Sequence, residues 1–238
     1  MSGKVKFGII SSDEQVLVVD KPAGVLCIPG RDTTEPALSD LLKRQFGELF
    51  TVHRVDRETS GVVVFARTAQ AHRHLSQQFG QRAVRKLYHA LVIGHLSPPE
   101  QVIDAPLRLT GNGNVVVDPK GKPARTGIRV MEQFRGYALL EACPTTGRQH
   151  QIRVHLQHAG HPLIVDPRYH STAPLTITDI KPGAHIAQDR PLRPLLARTP
   201  LHAAQLELQH PDGRQVIFNA PWPKDLRATV NQLRKWRK

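Results

Sequence analysis

The chain has 238 residues, 39% of them apolar and 22% charged, which allows a packed core and excludes a disordered polyelectrolyte. Its formal charge is +13 and its pI is near 10.3, a balance that points to a polyanion such as RNA or DNA. No apolar run approaches the roughly 20 residues of a membrane span, and no apolar signal core, lipidation motif or long amphipathic basic helix is present. Two cysteines, Cys27 and Cys143, stand far apart in apolar surroundings. They read as reduced core thiols of a cytoplasmic protein without a membrane partner. Aromatic residues make up only 5% of the chain, too few for a platform that stacks successive bases, so charge should act on the phosphate backbone.

In chain order, residues 16–19 form an apolar strand, and Asp20-Lys21-Pro22-Ala23-Gly24 is its turn, with φ fixed at Pro22 and free at Gly24. Pro29-Gly30-Arg31-Asp32 breaks the next apolar run. Leu38, Leu41, Leu42 and Phe46 fall at helical spacing over about 36–46, with Gly47 as the stop. A strand at 62–66 and a helix at 69–79, stopped by Gly80, come next. Residues 86–93 read as a strand ending at Gly94, in which Lys86 and Tyr88 share a face opposite Leu87. An extended segment covers 102–109, Gly111-Asn112-Gly113-Asn114 joins it to another as a hairpin, and 118–123 is a basic turn. Strands at about 125–132 and 136–143 are separated by Arg135-Gly136. From 145 the pattern turns helical, with Ile152, Leu156 and Ala159 on one face and Gly160 as the stop. The other faces of that helix carry Arg148, His150, Arg153, His155 and His158. Residues 169–200 are rich in proline and lack periodicity. A strand at 201–208, a turn at 211–213, a strand at 216–218 and a helix from about 225 to 236 close the chain. This pattern is α+β with a large mixed or mostly antiparallel sheet, and no compositional boundary divides residues 1–238 into separate domains.

Residues 53–61, H-R-V-D-R-E-T-S-G, concentrate the chemistry. Asp56 stands between Arg54 and Arg57, which should pull its pKa below the ordinary value of about 3.9. A charged cluster just before a buried strand is a usual place for active-site residues, although a surface ion pair has the same local pattern. Thirteen histidines invite a metal, yet no H-E-x-x-H and no paired C-x-x-C occurs. Phosphate-loop, dinucleotide-turn and nucleophile-elbow motifs are also missing, so neither cofactor nor metal is expected.

Four segments in order resemble the RluA-type pseudouridine synthases. They are H-R-V-D-R-E-T-S-G at 53–61, Arg85-Lys86-Leu87-Tyr88, T-G-R-Q-H-Q-I-R-V-H-L at 146–156, and Leu201-His202-Ala203. Gly160-His161-Pro162 and Asp166 follow the third, and Lys21-Pro22-Ala23-Gly24 matches the early K-P-x-G turn. The likeness spans about 14–222, with Val55 where the family usually has leucine. It implies a pseudouridine-synthase-like catalytic domain that isomerises uridine within an RNA chain, without a separate N-terminal RNA-binding domain.

By that resemblance Asp56, Tyr88 and Arg153 are the catalytic residues. Asp56 acts on the sugar, on the base or on a sugar proton, Arg153 pairs with it, and Tyr88 stacks on uracil and serves proton transfer at C5. The target base has to be flipped out, with Arg54 entering the gap. Lys86, Arg148, His150 and Ile152 complete the expected uridine or RNA contacts. The implied partner is an rRNA or tRNA stem-loop, bound by a monomer. The rivals are an inactive RNA binder of the same fold, which has no need of the Asp56, Tyr88 and Arg153 set, and an RNA glycosidase or nuclease, which would change product mass.

Overall fold

The apolar run at 62–66 lies inside a strand that is buried from end to end, as β-branched and aromatic residues permit when both faces are covered. The computed structural model describes residues 5–30, 35–181, 183 and 193–238. The break expected at Arg31 and Asp32, and residues 182 and 184–192 of the irregular stretch, lie outside the described residues.

The chain begins β1 (Gly8–Ser12), β2 (Val16–Lys21), α1 (Leu38–Phe46), β3 (Phe50–Thr51), β4 (Ser60–Ala66), α2 (Ala69–Gly80) and β5 (Arg85–Ile93). It continues β6 (Glu100–Asp104), β7 (Leu107–Leu109), β8 (Val115–Val117), β9 (Arg125–Phe134), β10 (Tyr137–Pro144), α3 (Gln151–His158) and α4 (Ile177–Ile180). Last come β11 (Leu201–Gln209), β12 (Gln215–Asn219) and α5 (Lys224–Trp236). The fold is α+β. Two compact units share the chain, one made of 1–87 and 202–221, the other of 88–201 and 222–238. Each is discontinuous in sequence, and the boundaries fall inside β5, at the start of β11 and between β12 and α5, where composition does not change.

In the first unit β2 pairs antiparallel with β1 and β4, while β4 and β11 run parallel and β12 returns antiparallel to β11. Val16, Val18, Val62, Val64, Leu206 and Leu208 form its core with Ala71 and Leu75 of α2. Helix α2 starts where the Thr68 hydroxyl accepts the Ala71 N–H, a side-chain cap. Its expected stop at Gly80 moves two residues on: Gly80 stays helical, and Arg82 takes the left-handed turn at φ 60°.

In the second unit β10 pairs antiparallel with β5 and β9, and β6 extends the sheet beyond β9. Alternation gives these strands two cores. Ala90, Val92, Ala138, Leu140 and Ala142 pack with Ile152 and Leu156 of α3. Leu91 and Leu139 face the other way, toward Leu226, Val230 and Leu233 of α5. Each buried Val, Leu or Ile among them contributes about 1.5–3 kcal/mol. The extended segment expected over 102–109 is two strands, β6 and β7, and β7 forms the expected hairpin with β8. Cys27 is buried, but Cys143 is only half-buried, since it lies near the end of β10 rather than in the core; neither forms a disulfide.

Candidate active site

In the first unit, residues 53–61 connect β3 to β4, and the loop is pinned at both ends. His53 Nε2 accepts the Val64 N–H at 3.0 Å, and its ring stacks on Phe79 at 4.6 Å. The burial around the ring, with the Lys86 ammonium nearby, holds His53 at about 3, far below the ordinary imidazole value. It is a neutral anchor of the loop. At the other end Thr59 and Ser60 are buried. The Ser60 hydroxyl lies 3.0 Å from His202 Nδ1, and His202 Nε2 lies 3.2 Å from the Ala220 carbonyl. A carbonyl only accepts, so Nε2 carries the proton and Ser60 donates to Nδ1. Gly61 follows at φ 112°, where a Cβ would fall 2.1 Å from the Ala203 carbonyl oxygen. Only glycine fits that approach of β4 to β11.

The middle of the loop is held through its backbone. The Arg57 carbonyl accepts from Lys21 Nζ at 3.0 Å and from the Gly24 N–H at 2.9 Å. Lys21 is fully buried, and it also donates to the carbonyls of Pro22 and Val25. Here the K-P-x-G turn acts as a clamp on the residue next to Asp56. Arg57 does not complete the local pair expected from sequence. Its Nε donates to the Gly24 carbonyl, and its terminal nitrogen pairs with Glu35 at 2.8 Å, because the clamp turns the side chain toward that loop. Asp56 itself is half-buried and Arg54 is exposed. Burial raises the Cys27 thiol, against the opposing charges of Lys21 and Arg54. Lys86 is half-buried, and burial and the Arg82 charge lower its ammonium.

In the second unit the T-G-R-Q-H-Q-I-R segment is a buried polar network, not the one-sided helix that periodicity implies. His150 takes the left-handed conformation, φ 53°, so α3 starts only at Gln151. Thr146 donates to Gln151 Oε1 at 2.6 Å, the Arg148 N–H donates to the same oxygen, and Gln151 Nε2 donates to the Arg125 carbonyl and Thr126 Oγ1. His155, expected on an outer face, is fully buried between Thr126 Oγ1 and the Ala105 carbonyl, each at 2.9 Å. Burial lowers its pKa. Arg153, expected on an outer face as well, is 4% exposed and pairs through two nitrogens with the buried Asp166, at 2.8 and 2.6 Å. Its guanidinium lies over the Tyr169 ring at 5.0 Å.

The remaining candidates separate by environment. Ile152 is buried in the cluster beneath β5 and β10, and Tyr88 packs on the edge of that cluster. Arg148 donates to the Pro123 carbonyl at 3.2 Å. His150 Nδ1 meets the Tyr169 hydroxyl at 2.6 Å. Lys21, His53, Ser60, His202 and Asp166 have structural parts that sequence reasoning did not assign. The K-P-x-G, H-R-V-D, T-S-G and L-H-A motifs, and the aspartate after G-H-P, were the signals that marked them. Among the described residues no group of three or more His, Cys, Asp or Glu side chains is gathered as for a metal ion, and no helix is long and apolar enough to cross a membrane.

A family model described as RNA pseudouridylate synthase matches residues 15–158. The ribosomal large subunit pseudouridine synthase C of Vibrio parahaemolyticus is 37% identical over 231 residues, covering 95% of this chain and 69% of the relative. The dual-specificity RNA pseudouridine synthase RluA of Salmonella typhi is 36% identical over 219 residues, covering 90% of this chain and 92% of the relative. Among solved structures, human RNA pseudouridylate synthase domain containing 4 has a TM-score of 0.73 at 27% identity, with 95% of this chain and 93% of that one covered. The match spans both the clamped loop at 53–61 and most of the buried network that follows 146, and the chain belongs to the RNA pseudouridine synthase family, RluA type, a family of isomerases that act on RNA.

Proposed function

We propose that this protein isomerises specific uridines of ribosomal RNA, with transfer RNA as the second candidate substrate, through Asp56 and base flipping. The clamped loop carries the reading. Two ties at the Arg57 carbonyl and two side-chain anchors, His53 and Ser60, hold the segment that presents Asp56, the preorganisation a reacting carboxylate requires. The N-glycosidic bond breaks, uracil turns while held, C5 joins C1′, and the C5 hydrogen is replaced by one on N1, so mass is unchanged. Asp56 acts at the reacting centre, whether at the sugar carbon, at the base or on a sugar proton. Arg153, already fixed by Asp166, offsets and orients that carboxylate. Tyr88 stacks on uracil and serves the proton at C5. Arg54, exposed on the loop, fills the space left by the flipped base. Lys86, Arg148 and His150 support the RNA, and Ile152 lines the base site from below. The working form is a cytoplasmic monomer without a cofactor.

The ribosomal assignment is supported by the name of the Vibrio relative, a large-subunit enzyme. Pseudouridine mapping across total RNA, with and without the protein, tests it. The expected result is loss of a few discrete sites, chiefly in ribosomal RNA, with no abasic sites or strand breaks. An unchanged map, or products of altered mass, overturns it.

A further inference from the structure

The second unit holds a pocket of about 430 Å³ between the β7–β8 hairpin, the basic turn at 118–122 and the loop at 147–149. Ligand pockets run from about 300 to 1,000 Å³. Its lining divides by chemistry. Leu107, Leu109 and Val115 supply an apolar floor, and Leu109 is 58% exposed. Arg108, Lys120, Lys122 and Arg148 supply four cations. One carboxylate, Asp118, opposes them and is taken by Arg108 at 2.5 Å, which leaves the rim at net +3.

The walls are built rigidly. Leu107 and Lys122 exchange backbone hydrogen bonds of 2.9 and 2.8 Å. A Cβ at Gly121 would lie 2.5 Å from the Leu107 carbonyl carbon, so the turn reaches the hairpin only because that residue is glycine. The Val115 N–H donates to the Tyr169 hydroxyl at 3.2 Å, and that hydroxyl meets His150 at 2.6 Å. The Arg148 side chain is fixed by its bond to the Pro123 carbonyl.

An anion alone explains the cations but not the exposed leucine on the floor. A membrane surface or an acidic peptide would not need a recess with an apolar base. An unstacked nucleotide uses both, with its base face on Leu109 and its phosphates on Lys120 and Lys122. We infer that this pocket holds one single-stranded nucleotide of the RNA substrate, distinct from the uridine being isomerised, because neither Asp56, Tyr88 nor Arg153 lines it. The inference rests on the reading of the protein as an RNA enzyme.

Binding of fluorescein-labelled hexauridylate to the full chain, over a series of salt concentrations, tests it. Lys120→Ala combined with Lys122→Ala should lower the slope of log affinity against log salt by about 1.4, two phosphates at roughly 0.7 each for single strands. Leu109→Ser should weaken binding roughly fivefold, with the slope unchanged. Leu109, Lys120 and Lys122 are exposed, and circular dichroism confirms that the variants fold. Wild-type affinity and slope in either variant overturns the nucleotide assignment. So does displacement of the RNA by polyglutamate with Leu109→Ser unaffected, which would make the pocket a general anion site. Pseudouridine formation by the wild-type chain is measured alongside. If that product is missing while the binding effects hold, the enzymatic reading fails and the pocket stands; if it forms and binding is unaltered, the pocket alone fails.

Discussion

Residues 53–61 and 146–156 are both dense in polar side chains, yet they are held in opposite ways. The loop at 53–61 is fixed mainly through its backbone. The Arg57 carbonyl is clamped by Lys21 and Gly24, and His53 and Ser60 anchor the ends. Its charged side chains stay half-buried or exposed. The segment at 146–156 is fixed through its side chains. Gln151, Arg153 and His155 are buried and each is satisfied by a specific partner. A loop held by its backbone keeps its place without burying its charged side chains. A helix held by its side chains gains rigidity, and each of its buried partners becomes costly to remove.

That contrast ranks the substitutions. Asp166→Ala should have the largest effect, because it removes the carboxylate that holds the Arg153 guanidinium, 4% exposed, through two bonds. Breaking a buried pair from one side costs about 3–5 kcal/mol, to be read from denaturant unfolding; a loss under about 1 kcal/mol would mean that the pair is not what holds α3. Lys21→Met comes next. It removes the donor to three carbonyls, of which that of Arg57 keeps the Gly24 N–H, and the loss costs about 2–3 kcal/mol in all. Stability equal to or above wild type would remove the clamp from the account.

The smallest effect at any one step is that of pH. Packing depresses His53 in the fold to about 3, whereas the unfolded chain binds that proton near 6.5. Between those values the unfolded state holds more protons, so stability falls as pH drops from about 6.5 toward 3. One proton limits the slope to about 1.4 kcal/mol per pH unit. His53→Gln keeps an acceptor for Val64 and cannot titrate, so it should flatten the acid limb. An unchanged limb would assign the sensitivity to His89 and His155, which burial lowers in the same direction.

The same contrast explains what could be read in the chain beforehand. Apolar runs, turn glycines and helical spacing carried the placement of β2, β4, β5, β9, β10, α1 and α5, since burial of apolar residues leaves a direct compositional mark. Strand β1 carries no such mark, because it is largely exposed and short. Periodicity sees only apolar faces, so it read Arg153 and His155 as outward; what buries them is hydrogen bonding to Asp166, Thr126 and Ala105. Local spacing likewise suggested that Arg57 serves Asp56. Its actual partners, Gly24 and Glu35, are set by a tertiary clamp that joins residues 36 apart in sequence. The ordered motifs marked the positions that matter, and the physics of each position came from partners far along the chain, such as Ser60 and His202, 142 residues apart.

The most direct test of the account is pseudouridine formation by wild-type protein and by Asp56→Asn on RNA from cells that lack the enzyme. The substitution keeps the size of the side chain and removes its charge, so the loop and its clamp stay in place. The variant is expected to bind that RNA within about threefold of wild type, a change of under 1 kcal/mol, and to yield no pseudouridine. Product formation at a rate near that of wild type would contradict the assignment of Asp56 as the reacting carboxylate.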